Sequence, residues 1–159
     1  MSDRPPSPAN AAETILFLLI PDFSMIAFTS AIEPLRIANR LSGRRLYEWR
    51  LLSRDGAPVS ASNGIAIQVG GAVADTEPSG SGVLPAVVLC GGLGSEHYQN
   101  RDVLAWLRRW DRRGAQLGAL CTGAHVLARA GLLDRHRCTI HWENLPGFIE
   151  AFPEIPVTS

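Results

Sequence analysis

Fifteen Lys and Arg balance fifteen Asp and Glu in a chain of 159 residues, so the formal net charge is zero. That balance removes the general electrostatic pull on nucleic acid or anionic lipid, and the length suits one domain with its own core. No apolar run approaches the roughly 18 residues that a membrane span needs. Residues 1–13 contain Pro5, Pro6 and Pro8 and a single basic residue, Arg4. They lack the basic start and long apolar stretch of a secretory signal and read as a disordered tail, with one domain over residues 14–159. The three cysteines, Cys90, Cys121 and Cys138, are odd in number and widely spaced. They fit neither a disulfide framework nor a zinc site, and three reduced thiols imply a cytoplasmic protein. No metal and no cofactor is expected.

Thr14–Ile20 is a continuous apolar run closed by Pro21-Asp22, the pattern of a strand buried on both faces. Ser24 opens a helical stretch to Leu41 with Phe28, Ile32 and Leu35 on one face. Pro34 lies inside it, and a proline removes a backbone donor and disfavours helix at the residue before it. The reading is a kink there, or a helix that starts near Ile32. Tyr47–Ser53 is a second strand. Asp55-Gly56 and Asn63-Gly64 flank short strand-like pieces and predict a β-hairpin, and residues 74–84 read as a loop. Ala86–Cys90 is a buried strand closed by the turn Gly91–Gly94. Asn100 caps a helix to Arg113, with Gly114 as terminator. A strand at Ala115–Leu120, a helix at Thr122–Ala130 and a short helix at Asn144–Phe152 complete the series. Strands alternating with helices mean an α/β fold with a mainly parallel sheet. Ligands in such sheets bind at the carboxyl ends of the strands, where the Gly91–Gly94 and Cys121 turns fall.

The sharpest chemical feature is Gly118-Ala119-Leu120-Cys121-Thr122-Gly123. A strand ends on a nucleophile and a helix begins at once, with small residues two before and two after the cysteine. This is the nucleophile-elbow arrangement, in which small neighbours permit a strained turn that lifts the side chain out at the sheet edge. A buried thiol in a tight turn is the plainer alternative.

The run Cys121-Thr122-Gly123-Ala124-His125, then Leu127-Ala128-x-Ala130-Gly131-Leu132-Leu133, then Cys138-Thr139-Ile140-His141-Trp142 resembles the ThiJ/PfpI family. Gly91-Gly92 after a buried strand and Ser62-Asn63-Gly64 in the hairpin fit the same family. The segments Phe23–Phe28 and Ala31–Asn39 are especially similar to the GlxA-type regulators, which join this domain to a C-terminal AraC-type helix-turn-helix. The resemblance covers residues 14–155. It implies a flavodoxin-like three-layer sandwich. It also implies that a C-terminal strand and helix are missing, since Ile155–Thr158 reads as the opening of a further strand.

Family enzymes, isonitrile hydratases among them, place an acidic residue shortly after the first strand, beside the elbow cysteine. Aligned on Pro21, that position is Ala27. Family proteases place a histidine directly after the cysteine, where this chain has Thr122. Covalent catalysis needs the nucleophile within hydrogen-bond reach of its activator, so Cys121 is expected to bind rather than transform and no catalytic residue is assigned. If the domain is an enzyme, Cys121 and His141 carry the chemistry of a hydratase or hydrolase.

The resemblance therefore implies the ligand-sensing, dimerising part of an AraC-family regulator. Regulators like it answer to nitrogenous metabolites, including betaine- and carnitine-like quaternary amines and amino acids. The ligand-binding candidates are Glu33, Gly91, Gly92, Cys121, Thr122, His141 and Trp142. Glu33 either lines the pocket or pairs with Arg36, and Trp142 either covers the pocket or packs in the core. Arg108, Arg109, Arg112 and Arg113 read as a solvated helix face. The expected partners are a small-molecule effector and a second copy. DNA is expected to be met only through a helix-turn-helix outside this chain, and no membrane is expected.

Overall fold

The computed structural model describes residues 12–78 and 83–158. Most of the tail expected at residues 1–13, and part of the 74–84 loop, lie outside the described residues. Four parallel strands form the main sheet: β1 (Glu13–Leu19), β2 (Tyr47–Leu52), β5 (Ala86–Cys90) and β6 (Leu117–Leu120), in the order β2-β1-β5-β6. Their register sets Leu19 beside Cys90 and Cys90 beside Leu120, so three strands end level at one edge. The hairpin is present as the antiparallel pair β3 (Val59–Ser60) and β4 (Ala66–Ile67). Gly64 takes a φ of 82° in its turn, and Asn63 Oδ1 accepts from the Ile65 amide.

Helix α1 (Met25–Ser42) runs unbroken through Pro34, capped by Ser24, whose hydroxyl accepts from the Ala27 amide. The late start at Ile32 does not occur. Burial of Phe28, with Ile32 and Leu35 packed against Phe17 and Phe23, outweighs a proline cost of about 3 kcal/mol. Phe28 meets Phe17 and Phe23 edge-on, each with ring centroids 5.7 Å apart. On the opposite face α2 (Arg101–Arg112) buries Val103, Trp106, Leu107 and Trp110 against Leu16, Leu18 and Leu89. The Asn100 side chain caps it by accepting from the Val103 amide. Helices on both faces of a parallel sheet make the three layers.

After β6 comes a single 3-10 turn, Cys121–Gly123, then α3 (Ala124–Arg129). A second 3-10 turn, Trp142–Asn144, leads into α4 (Leu145–Ala151). A third small core of Ala124, Ala128, Ile140, Phe148 and Ile155 binds this last part to α3. The expected strand at Ile155–Thr158 amounts to one parallel bridge between Val157 and Cys138.

Candidate functional site

Cys121 has a φ of +56°, a left-handed conformation that costs a residue with a Cβ about 1–3 kcal/mol. The surroundings enforce it. A Cβ at Gly123 would lie 2.7 Å from Leu89 Cδ2 and 3.3 Å from Ala119 Cβ, so the two small residues flanking the elbow touch one another's space. A Cβ at Gly91 would fall on the Gly123 amide nitrogen and lie 2.6 Å from its Cα. One at Gly92 would fall on the Asp22 carbonyl oxygen and lie 2.7 Å from the Ser24 nitrogen. The turns after β1, β5 and β6 therefore cross in direct backbone contact, possible only where two of the crossing residues are glycine.

Hydrogen bonds lock this crossing. Ser24 donates its amide to Gly91 O at 2.9 Å, and Leu93 donates its amide to Asp22 O at 3.0 Å. The Thr122 hydroxyl is buried, donates to Gly92 O, and lies 3.1 Å from Ser95 Oγ. The Gly92 amide donates to Ser95 Oγ at 2.9 Å and the Gly91 amide to Leu120 O at 3.3 Å. Gly91, Gly92 and Thr122, read from the sequence as polar contacts for a ligand, thus have these groups engaged within the fold.

Above the crossing opens a cleft of about 200 Å³ lined by Ser24, Ser62, Gly92, Leu93, Gly94, Glu96, Cys121, Thr122, His141, Glu143 and Asn144. Five segments meet there: the cap of α1, the hairpin, the turn after β5, the elbow, and the His141–Asn144 turn. Two glutamates, Glu96 and Glu143, are among its lining residues, and no Lys or Arg is. His141 Nδ1 lies 3.8 Å from Glu143 Oε2. No hydrogen bond reaches Cys121 Sγ among the described residues. A larger hollow of about 540 Å³ lies towards the amino ends of β1 and β2, around Thr14, Glu48 and Trp110. No cysteine or histidine lines it, and it lies at the wrong end of a parallel sheet for a ligand site.

Two residues expected in the pocket do not line it. Glu33 is exposed on α1 and forms a two-point pair with Arg36, at 2.9 Å to Nε and 2.7 Å to Nη2. That hydrogen bond holds its carboxyl below the usual carboxylate range. Glu33 thus stays on the outer face of the helix that runs on through Pro34. Trp142 is 73% exposed and stacks on the His141 ring, centroids 5.7 Å apart. It neither covers the cleft nor enters the core, because the 3-10 turn it begins projects it outward. His125 is buried against Phe148, its ring centroid 5.0 Å away, and is not among the residues that line the cleft. Glu96, Glu143, Asn144 and Ser24 are the site residues that sequence reading missed. Glu96 stands two residues beyond the Gly91–Gly94 turn and Glu143 two beyond His141, so adjacency to those motifs was the signal available.

A parallel α/β sandwich whose adjacent strands β5 and β6 end in a glycine turn and a strained cysteine elbow defines the class: flavodoxin-like, with its site at the strand ends. The DJ-1/PfpI family model matches residues 13–151, and the chain belongs to that family. It is 44% identical over 158 residues to the HTH-type transcriptional regulator GbdR of Pseudomonas aeruginosa, covering 98% of this chain and 41% of that protein. It is 38% identical over 149 residues to the HTH-type transcriptional regulator GlxA of Rhizobium meliloti, covering 94% of this chain and 45% of the relative. The chain thus spans less than half the length of these curated relatives. Among solved structures, an AraC family transcriptional regulator from Pseudomonas putida superposes with a TM-score of 0.77 at 31% identity, covering 92% of this chain and 76% of that one. The resemblance to ThiJ/PfpI domains of AraC-type regulators therefore holds.

Proposed function

We propose that this domain senses a small amine or amino-acid-like metabolite for a transcription regulator and pairs with a second copy, DNA being met by a helix-turn-helix domain outside these residues. The regulators it resembles support the regulatory half of this reading. The observation that carries the ligand half is the cleft itself: its charged lining is two carboxylates and a histidine, with no arginine or lysine. A protonated or quaternary amine complements that lining, and an uncompensated anion would meet repulsion. Cys121 borders the cleft without a hydrogen-bonded activator, which favours binding over turnover.

The test uses a longer regulator carrying this domain. A thermal-shift screen of amino acids and quaternary amines identifies the effector. Cys121→Ser then leaves effector-dependent transcription largely intact, Glu96→Gln or Glu143→Gln weakens it, and Glu33→Ala leaves it unchanged. The second reading, a cysteine-dependent hydratase or hydrolase, draws on the strained Cys121 sharing one cleft with Glu96 and His141. Loss of a measurable hydratase or hydrolase activity in Cys121→Ser would establish it in place of the sensing reading.

A further inference from the structure

Arg129 does not line the cleft, yet it is the last residue of α3, the helix that begins three residues after Cys121. Its guanidinium reaches across to the segment after β5, donating from Nη1 to Tyr98 O at 3.0 Å and from Nη2 to Glu96 O at 2.5 Å. The Glu96 carbonyl lies in the short 3-10 turn Ser95–His97 and the Tyr98 carbonyl on the residue that caps it; the turn's own bonds run from His97 N to Gly94 O and from Tyr98 N to Ser95 O. At its other end the same turn is held by the elbow, through Ser95 Oγ and Thr122 Oγ1. Glu96 therefore lines the cleft from a turn clamped at one end by the residue after Cys121 and at the other by the end of the helix that follows the elbow.

We infer that Arg129 is the positioning residue that fixes the Glu96 carboxylate relative to Cys121; this rests on the cleft assigned above. A planar guanidinium with several donors in a rigid fork can hold two carbonyls at once, which a lysine ammonium on a flexible stem does poorly. One turn earlier on α3, His125 packs on Phe148 of α4, the element that follows the Glu143-bearing turn. Helix α3 thus braces both acidic walls of the cleft, and Arg129 is the brace on the Glu96 side.

The test reads the field at Cys121 in the 159-residue chain with Cys138→Ser as background. Methanethiosulfonate reagents convert the Cys121 thiolate to a mixed disulfide and release methanesulfinate. The rate ratio of the cationic aminoethyl reagent to the anionic sulfonatoethyl reagent reports nearby carboxylates. Glu96→Gln lowers that ratio by about fivefold. Arg129→Gln lowers it by a similar factor, although removing a positive charge would by itself raise it, and Arg129→Lys lowers it by about half as much. The double variant Glu96→Gln, Arg129→Gln shows no further fall, as expected of residues acting as one unit. An unchanged or raised ratio in Arg129→Gln, or additive losses in the double variant, overturns the inference. Should Arg129→Gln fail to fold by near-ultraviolet circular dichroism, an unchanged ratio in Arg129→Lys overturns it. A failed metabolite screen leaves this ratio untouched, so the two failures are distinguishable.

Discussion

Thr122 and Gly92 are joined by a hydrogen bond from the threonine hydroxyl to the glycine carbonyl, across thirty residues of chain. The residue after the elbow cysteine is thereby used to tie the elbow to the neighbouring turn, leaving the cleft face to Cys121 and the carboxylates. Thr122→Val keeps the shape and removes the donor, leaving the Gly92 carbonyl to its bonds from the Ser95 amide and hydroxyl. The expected loss is about 0.5–1.5 kcal/mol of stability, read as a lower midpoint in urea unfolding. An unchanged midpoint would mean that the bond contributes nothing.

Gly91 and Gly118 make a matched pair for testing the crossing. A Cβ at Gly91 meets the Gly123 backbone and Ser95 Oγ at 2.8 Å, whereas one at Gly118 meets nothing within 4 Å. Gly91→Ala is expected to cost about 1–3 kcal/mol from overpacking against backbone that cannot yield. Gly118→Ala is expected to be neutral or to stabilise by up to about 1 kcal/mol, because alanine loses less chain entropy in a strand. Thermal melts of the two variants compare them directly.

The three thiols should separate under alkylation by iodoacetamide. Cys90 is fully buried in β5, and desolvation pushes its pKa up to about 12. Cys138 is partly buried and raised in the same sense, while Cys121 borders the open cleft. Reaction needs exposed thiolate, so peptide mass spectrometry should find Cys121 labelled first, Cys138 more slowly, and Cys90 only after unfolding. Labelling of Cys90 in the native protein would contradict the β5 packing.

Acid sensitivity should trace to His125. The residue is 4% exposed, and Nδ1 has no hydrogen-bond partner among the described residues. Burial lowers its pKa; Arg129 and His97 act in the same direction and Glu96 opposes them. A depressed folded value means that the unfolded chain takes up the proton more readily. The stability contributed by the neutral ring is complete above the unfolded value near 6.5, and is lost as the pH falls towards and through the folded one. The melting temperature should therefore drop on acidification across this range, and His125→Leu should flatten that part of the profile.

The fold was legible in the sequence because its cues are local. Continuous apolar strands, Ser24 and Asn100 as caps, the Asn63-Gly64 turn and the small residues around Cys121 each act within a few positions, and each appears where it was read. The alternative start of α1 near Ile32 was misread because a local proline penalty was weighed without the packing of Phe28 and Leu35 on a sheet that sequence does not display. The cleft was only half legible. Cys121 and His141 were visible through their motifs. Glu96 and Glu143 were not, since their pairing across the cleft depends on the turn after β5 and the turn before α4 converging in space. Glu33 looked like a site residue by type, and tertiary structure left it on the solvent face with Arg36. Short-range sterics and hydrogen bonding fixed the elements and the elbow; which charges share the pocket was decided by where α3 and α4 pack, through contacts tens of residues apart in the chain.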